Sequence, residues 1–220
     1  MKLLLVADHE ESRLWDYYQA SKTEGVDLIL SCGDLDPAYL EFLTTMVNKP
    51  LLYVRGNHDD KYEMRPPEGC IPVEDMVYDY HGLRILGLGG SYKYGSRVNM
   101  YTEAEMEKRI RKLRYILKIT DGFDILLTHA PALGYGDLED LPHRGFDCFN
   151  DLLETYQPMY MFHGHVHMEY GPFQRTRSHP SGTQIINAYG SWMVEIPDES
   201  FGQGVKSMLY RMYMRSNNKY

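Results

Sequence analysis

Cysteine is scarce in this sequence of 220 residues, and its three copies, Cys32, Cys70 and Cys148, are widely spaced with no Cys-x-x-Cys pair. Neither a disulfide framework nor a thiolate zinc site is therefore expected, and a reducing cytoplasm suits the chain best. Long apolar runs are also missing. The opening run ends at Asp8 after five residues, too short for a signal peptide, and the later runs fall short of bilayer-spanning length. We therefore expect a cytoplasmic protein that does not enter a membrane.

Positive charge is in deficit, because 23 lysines and arginines face 31 aspartates and glutamates, and the formal net charge is -8. A surface of this sign repels polyanions, so nucleic acid is a disfavoured partner. The two basic stretches are the segment after Thr102 and the C-terminal residues Lys206, Arg211, Arg215 and Lys219. Both are typical of a solvated surface.

The apolar residues that are present fall into short runs typical of strands, separated by segments with helical patterning. Strands are predicted at Leu3 to Ala7, Leu28 to Ser31, Leu51 to Val54, Ile85 to Leu88, Ile125 to Thr128, Met159 to Phe162, Thr183 to Ala188 and Val205 to Met214. Helices are predicted at Arg13 to Lys22, Ala38 to Val47 after Pro37, Thr102 to Ile119 with a capping box, and Phe146 to Tyr156. The β-α-β-α-β order at the start, without a linker or repeat, predicts one α/β domain over residues 1–220.

Oxygen and imidazole side chains follow these strands at the point where each strand ends. They are Asp8, Glu10, Asp34, Asn57, His58, Asp59, His129, His163, His165 and His167. Successive strand ends of an α/β sheet meet in one crevice, and carboxylates with imidazoles and no thiolate suit hard to borderline divalent cations. Two ions fit better than one, because a carboxylate such as Asp34 can bridge cations about 3.5 to 4 Å apart. On an extended backbone His165 and His167 would project to the same side.

This ordered set resembles the calcineurin-like metallophosphoesterase superfamily, and in particular its small bacterial phosphoesterases. The resemblance rests on Asp8, Gly33-Asp34, Gly56-Asn57-His58-Asp59, His129 and Gly164-His165-Val166-His167, and it covers residues 3–195. It implies a four-layer α/β/β/α sandwich of two mixed β-sheets flanked by helices. It also implies two divalent metal ions, one held by Asp8, position 10, Asp34 and His167, the other by Asp34, Asn57, His129 and His165. His58 would face the substrate phosphate.

The first motif departs from the family pattern, which is usually Asp-x-His. Here Glu10 stands where the family places the imidazole. Residues 8 and 10 share one side of an extended strand end and His9 points away, so we predict Glu10 as the ligand. The added carboxylate favours manganese, iron or magnesium over zinc.

A second departure is Pro37, at the position where many members carry an acid that orients the catalytic histidine. Asp36 either takes over that role beside His58 or caps the helix that begins at Pro37. His163 either supports the metal ligands from behind or is a buried structural residue.

The resemblance implies hydrolysis of a phosphomonoester or phosphodiester by a hydroxide that bridges the two ions. Asn57 would help to neutralise a phosphoryl oxygen, and His58 would donate a proton to the leaving oxygen. The expected substrate is a small phosphorylated molecule or nucleotide. Candidate substrate-binding residues lie in two loops, Tyr135, His143 and Arg144 after His129, and Tyr92 and Arg97 in the glycine-rich stretch from Gly89.

Other function classes stay open beside the phosphoesterase. A nuclease would need a basic track along its surface. A catalytically weak scaffold that binds a partner would fit the departures at Glu10 and Pro37. A homo-oligomer also stays open, through the predicted strand Val205 to Met214, whose Tyr210, Met212 and Met214 alternate onto one face.

Overall fold

Two mixed β-sheets face each other, and helices cover their outer surfaces, in a computed structural model that describes residues 1–171, 174–198, 201 and 208–217. The strands are Lys2–Ala7 (β1), Leu28–Ser31 (β2), Leu51–Tyr53 (β3), Ile71–Pro72 (β4), Met76–Tyr80 (β5), Leu83–Leu88 (β6), Ser91–Tyr92 (β7), Met100–Tyr101 (β8), Ile125–Thr128 (β9), Tyr160–His163 (β10), Thr176–Ser178 (β11), Gln184–Asn187 (β12) and Gly190–Glu195 (β13). The helices are Pro37–Val47 (α1), Glu103–Thr120 (α2), Asp147–Tyr156 (α3) and Met208–Asn217 (α4).

The first sheet has the order β13-β1-β2-β3-β4, and the second has the order β11-β12-β10-β9-β6-β5. Strands β1 to β4 run parallel, and β13 closes one edge antiparallel to β1. In the second sheet β12, β10, β9 and β6 run parallel, with β11 and β5 antiparallel at the two edges. The predicted fold class, two mixed sheets flanked by helices, is confirmed.

Alternating side chains of β1 divide the core into layers. Leu3 and Leu5 point between the sheets, where they join a cluster with Ile125, Leu127 and Phe162 of the second sheet. The intervening Leu4 and Val6 point outward and pack against α1. The outer face of the second sheet packs in the same way against α2, α3 and α4. The parallel strands of both sheets are therefore buried on both faces, which explains their near-continuous apolar runs.

The ends of α1 and α2 follow from local chemistry. Asp36 is the N-cap of α1, since its Oδ1 accepts a hydrogen bond from the Ala38 amide at 2.9 Å, and Pro37 begins the helix. Thr102 and Glu105 form the predicted capping box at the start of α2. Both helices begin within one residue of the predicted positions.

Two predicted elements are wrong. The segment Arg13 to Lys22 is not one helix but two short 3-10 turns, Ser12–Leu14 and Ala20–Lys22, and the rings of Trp15 and Tyr18 between them pack against Phe42 of α1. The predicted strand Val205 to Met214 is a helix from Met208 onward, and residues 205–207 lie outside the described residues. Tyr210 and Met214 are buried at helical spacing, whereas Met212 is 57% exposed.

The sequence prediction lacks six strands, namely β4, β5, β7, β8, β11 and β13. The error at the C-terminal segment removes the strand on which the homo-oligomer was predicted, while the oligomeric state itself stays a prediction, as does the division into one domain. Among the described residues, the helices are all too short or too polar to cross a bilayer.

Arg84 on β6 ties the second sheet to the end of α2, and its removal is expected to destabilise the protein. The guanidinium forms two hydrogen bonds with Asp124, at 2.7 and 3.0 Å, and a third with the Thr120 carbonyl at 2.7 Å. Arg84→Ala leaves the mostly buried Asp124 carboxylate without its counter-charge, so we expect a loss of about 3 kcal/mol in the free energy of unfolding, measured by urea titration.

The matched control is Arg111→Ala, which removes an exposed pair with Glu107 one helical turn away. That change should cost less than about 0.5 kcal/mol. Equal costs for the two variants would contradict the structural role of Arg84.

Candidate metal centre

Three of the predicted ligands adopt the left-handed backbone conformation, namely Asp8 after β1, Asp34 after β2 and His165 after β10, with φ of 62°, 57° and 68°. This conformation is uncommon outside glycine and is concentrated at functional sites. Each turn redirects the chain at a strand end. As a result, the side chains of the first sheet's loops meet those of the second sheet's loops.

His129 lies at the centre of this meeting point and is fully buried. Its Nδ1 donates to the Cys32 carbonyl at 2.8 Å. Three polar atoms surround its Nε2, namely Asn57 Oδ1 at 2.9 Å, His165 Nδ1 at 3.1 Å and Asp34 Oδ2 at 3.4 Å. One ring nitrogen carries only one proton or one lone pair, so it cannot satisfy all three neighbours.

The donor set fits a divalent cation. Ligand atoms of Asp8, Asp34 and His129 all lie within 4.8 Å of one another. Carboxylate, amide and imidazole groups with no thiolate are the ligands that suit Mn²⁺, Fe²⁺ or Mg²⁺ and also accept Zn²⁺. Gly56 allows the close approach, since a Cβ at that position would lie 2.1 Å from Asp34 Oδ1.

Asp34 and His129 fix each other's charge. Burial disfavours the charged form of both groups, but their mutual attraction outweighs it, lowering the pKa of Asp34 and raising that of His129. The His58 amide, which donates to Asp34 Oδ1 at 2.7 Å, also stabilises the carboxylate. Without a bound cation, His129 is therefore the positive charge that balances Asp34.

His165 presents a neutral ring to the same point. Its Nε2 donates to the Pro142 carbonyl at 2.7 Å, which leaves the Nδ1 lone pair facing His129. Burial, with the nearby His129 charge, lowers the pKa of His165 to about 3. Its backbone amide donates to both oxygens of Asp8, at 2.9 and 3.0 Å, and Asp8 Oδ1 also lies 3.7 Å from His167 Nε2. Asp8 thus connects the first strand to the Gly-His-Val-His segment.

Asp59 holds the loops after β2 and β3 together. Its Oδ2 accepts from the backbone amides of Asp34, at 2.8 Å, and Gly56, at 2.7 Å, and the residue is 1% exposed. Burial and then the Asp34 charge raise its pKa to about 7. Asp59 therefore positions Asp34 through the backbone.

The left-handed turn at Asp8 ends the extended alternation on which Glu10 is predicted as a ligand. Glu10 Oε1 accepts from the Asp36 amide at 3.0 Å, next to the start of α1. His9 is exposed and its ring stacks on Tyr189 at a centroid distance of 5.9 Å. The role of Glu10 as a metal ligand stays a prediction.

Asp36 takes the capping alternative. One oxygen accepts from Ala38, and the other forms an ion pair with Lys61 at 2.7 Å. The side chain of His58 is exposed, consistent with a residue at the mouth of the site. His163 is buried, and its Nδ1 donates to the Gly164 carbonyl at 2.9 Å. Burial lowers its pKa to about 4, so it is neutral at physiological pH.

Comparison with known proteins identifies the family. The family model of the calcineurin-like phosphoesterases matches residues 1–169. The chain belongs to this family. The cluster of Asp8, Asp34 and His129 provides a candidate site for a divalent metal ion.

Solved structures share the fold of this calcineurin-like phosphoesterase. One crystal structure aligns with a TM-score of 0.64 and 13% identity, over 88% of this chain and 94% of the other. Protein TT1561 of Thermus thermophilus aligns with a TM-score of 0.58 and 18% identity, over 86% and 89% of the two chains. The curated UPF0046 protein T07D4.2 of Caenorhabditis elegans is 29% identical over 104 residues. That match spans 46% of this chain and 25% of the relative's length.

The predicted substrate-binding residues of this phosphoesterase lie in different surroundings. His143 is close to the site, because its ring centroid is 5.4 Å from that of His165 and its Nδ1 contacts Asp140 at 2.7 Å. Arg97 pairs with Asp60 at 3.5 Å. Tyr135 packs against His179 at 4.6 Å. Arg144 lies over the ring of Tyr92, at 5.2 Å. Their roles in substrate binding stay predictions.

Two tyrosines at the site are missing from the sequence prediction. The Tyr94 hydroxyl accepts a hydrogen bond from Asn57 Nδ2 at 3.0 Å, and thereby fixes which end of the Asn57 amide faces His129. Tyr170 stacks on His167 at a centroid distance of 4.8 Å. Tyr94 lies in the same loop as the predicted Tyr92, so the loop is signalled in the sequence but the contacting residue is not.

Metal binding by the chelator-treated protein is expected to tighten as pH rises. The raised pKa of His129 means that its ring is protonated in the metal-free protein and must release that proton to coordinate a cation. Below this pKa, affinity for Mn²⁺ should rise by up to about tenfold per pH unit. Calorimetric titration at several pH values, in two buffers of different ionisation enthalpy, measures both the affinity and the proton release. Constant affinity with no proton release would contradict the His129 assignment.

Proposed function

We propose that this protein hydrolyses a small phosphorylated molecule with the help of two divalent cations. The observation that carries the proposal is the convergence of Asn57, His165 and Asp34 on Nε2 of the buried His129. Three ligand groups gathered around a nitrogen that cannot satisfy them all form a preorganised cation site. Family membership supplies the reaction class.

The proposed ligands divide into two sets that share the Asp34 carboxylate. Asp8, Glu10 and His167 belong to one set, and Asn57, His129 and His165 to the other. When bound, the cations would neutralise phosphoryl oxygens and lower the pKa of the attacking water. The added Glu10 carboxylate favours manganese, iron or magnesium over zinc.

The chain's own residues position the substrate around this centre. The Tyr94 hydroxyl orients Asn57, so that its carbonyl oxygen faces the metal centre. The His58 backbone is anchored on Asp34 while its ring is exposed, and this placement supports a role as proton donor to the leaving oxygen. The net charge of -8 favours small substrates over nucleic acid, and a cytoplasmic location is part of the proposal.

A partner-binding scaffold is the second candidate, because Glu10 contacts the Asp36 backbone and Pro37 removes the acid that many family members place there. Weak metal retention at the first ligand set would favour it. A nuclease is the third candidate, and it requires salt-sensitive binding of DNA.

Turnover is expected to depend on added metal. Chelator-treated protein should hydrolyse p-nitrophenyl phosphate or bis-p-nitrophenyl phosphate after addition of Mn²⁺, Fe²⁺ or Mg²⁺, and more slowly with Zn²⁺. Asp34→Asn removes the shared charge and should lower kcat by at least about 100-fold. Metal analysis should find two ions per chain in the wild type and fewer in the variant.

The control is Asp27→Asn, which changes a carboxylate that accepts from the Lys2 amide at the opposite end of β1 from the site. It should retain wild-type turnover. Absence of turnover with every metal, despite two bound ions, would contradict the esterase proposal and favour the scaffold.

Loss of the His58 ring is expected to slow poor leaving groups most. An alkyl leaving oxygen needs a proton in the transition state, whereas p-nitrophenolate leaves without one. His58→Ala should therefore lower kcat/KM about 100-fold for glycerol 2-phosphate and less than about 10-fold for p-nitrophenyl phosphate. Equal effects on the two esters would exclude proton donation by His58.

A further inference from the structure

A small open pocket of about 50 Å³ lies beside the candidate metal centre. We call it the Arg177 pocket, and its walls include Asp137, Val166, His167, Tyr170, Arg177 and Asn187. His167 belongs both to this pocket and to the proposed metal ligands. A group attached to a phosphate at the metal centre is therefore within reach of the pocket.

Arg177 contributes a cation without a partner among the described residues. It lies on β11 opposite Ile185 of β12, so its half-buried side chain is on the face of the second sheet that the helices cover, while its neighbours Thr176 and Ser178 are exposed. Its Nε is buried, with no hydrogen-bond partner in the part of the chain that the structure describes. None of the ion pairs formed within the described ranges includes Arg177. Buried donors of a charged group are nearly always paired, so a missing acceptor points to a ligand.

The polar groups in the pocket wall are already engaged. Asp137 Oδ1 accepts from the Gly134 amide at 2.8 Å, and Oδ2 accepts from the Gly145 amide at 3.1 Å. Asn187 donates to the Val166 carbonyl and accepts from the Tyr189 amide, both at 2.8 Å. Neither side chain can turn to Arg177 without breaking the loop that it holds.

Gly136 keeps the space above Arg177 open. A Cβ at this position would lie 3.1 Å from His163 Nε2 and 3.9 Å from Arg177 Nε, and the glycine has a φ of 99°. Any side chain here would be strained and would press on the ring of His163. The loop therefore packs over His163 and beside Arg177 at a glycine.

We propose that Arg177 binds a second anionic group of the substrate, a carboxylate or a phosphate, and so selects among small phosphoesters. A guanidinium forms paired hydrogen bonds with either group and recognises its planar or tetrahedral array of oxygens. This inference rests on the proposed phosphoesterase function. It adds that the natural substrate carries a negative charge beyond the ester phosphate.

The test compares matched substrates with the Mn²⁺-loaded protein. 3-Phosphoglycerate differs from glycerol 3-phosphate by a carboxylate, and fructose 1,6-bisphosphate differs from fructose 6-phosphate by a phosphate. The wild type should favour the more anionic member of at least one pair by about 10- to 100-fold in kcat/KM. The pair that shows the preference identifies carboxylate or phosphate as the ligand.

The variants decide whether Arg177 causes the preference. Arg177→Gln should bring the ratio of kcat/KM values close to one through KM, and Arg177→Lys should restore part of it. Arg111→Gln, a surface change on α2, should keep the wild-type ratio. No preference in the wild type, or an unchanged ratio in Arg177→Gln, would overturn the inference.

A second measurement does not depend on turnover. Calorimetry with the metal-free protein should show binding of 3-phosphoglycerate or fructose 1,6-bisphosphate that Arg177→Gln weakens by about 10-fold or more and Arg111→Gln does not. If no phosphoester is hydrolysed with any metal, the proposed function fails, and this binding result alone supports or overturns the role of Arg177.

Discussion

The contact between the Asp34 carboxylate and the His129 imidazole is the interaction on which the site depends. The His129 ring is fully buried and the Asp34 side chain is 9% exposed, and neither charge would be stable there alone. The Cys32 carbonyl, two residues before Asp34, aims the ring of His129, so one loop supplies both the anion and the orientation of its partner. The His58 amide then anchors the next loop on the same carboxylate. The positions of the remaining groups follow from these contacts.

The histidines around the Asp8 and Asp34 carboxylates differ in protonation, because His129 is charged and His165 is neutral. His165 stays neutral because burial opposes its charge and His129 repels a second proton. Its remaining N–H is directed to the Pro142 carbonyl, and this contact joins the site to the loop that carries His143. A divalent cation can replace the proton of His129 and balance both carboxylates, which a single imidazolium cannot.

Much of the fold and of the site could be predicted from the sequence, because both depend on the spacing of apolar residues and on the order of polar residues along the chain. Buried runs with alternating faces predict β1 and the strands beside it, and polar residues at successive strand ends predict the crevice.

The assignment of Glu10 shows a limit of sequence-based prediction. The alternation that favours Glu10 as a ligand requires an extended backbone, and Asp8 turns out of that conformation. The C-terminal segment shows another, because Tyr210 and Met214 are four residues apart and fit a period of two as well as one of 3.6. The contact between Tyr94 and Asn57, and the pocket around Arg177, bring together segments that are distant in the chain, for which a single sequence carries no signal.

The candidate metal centre and the Arg177 pocket differ in the kind of ligand recognition that they can provide. A metal centre attracts any phosphoryl group, because charge neutralisation depends little on what the phosphate is attached to. Selectivity must therefore come from directional groups a short distance away. His167 and Tyr170, whose rings stack, both line the Arg177 pocket, and His167 is also a proposed metal ligand, so the guanidinium proposed to bind an anion lies a short distance from the proposed metal centre. Both oxygens of Asp8 accept from the His165 amide, and those of Asp137 accept from the Gly134 and Gly145 amides, so these carboxylates are committed to backbone groups and not to Arg177.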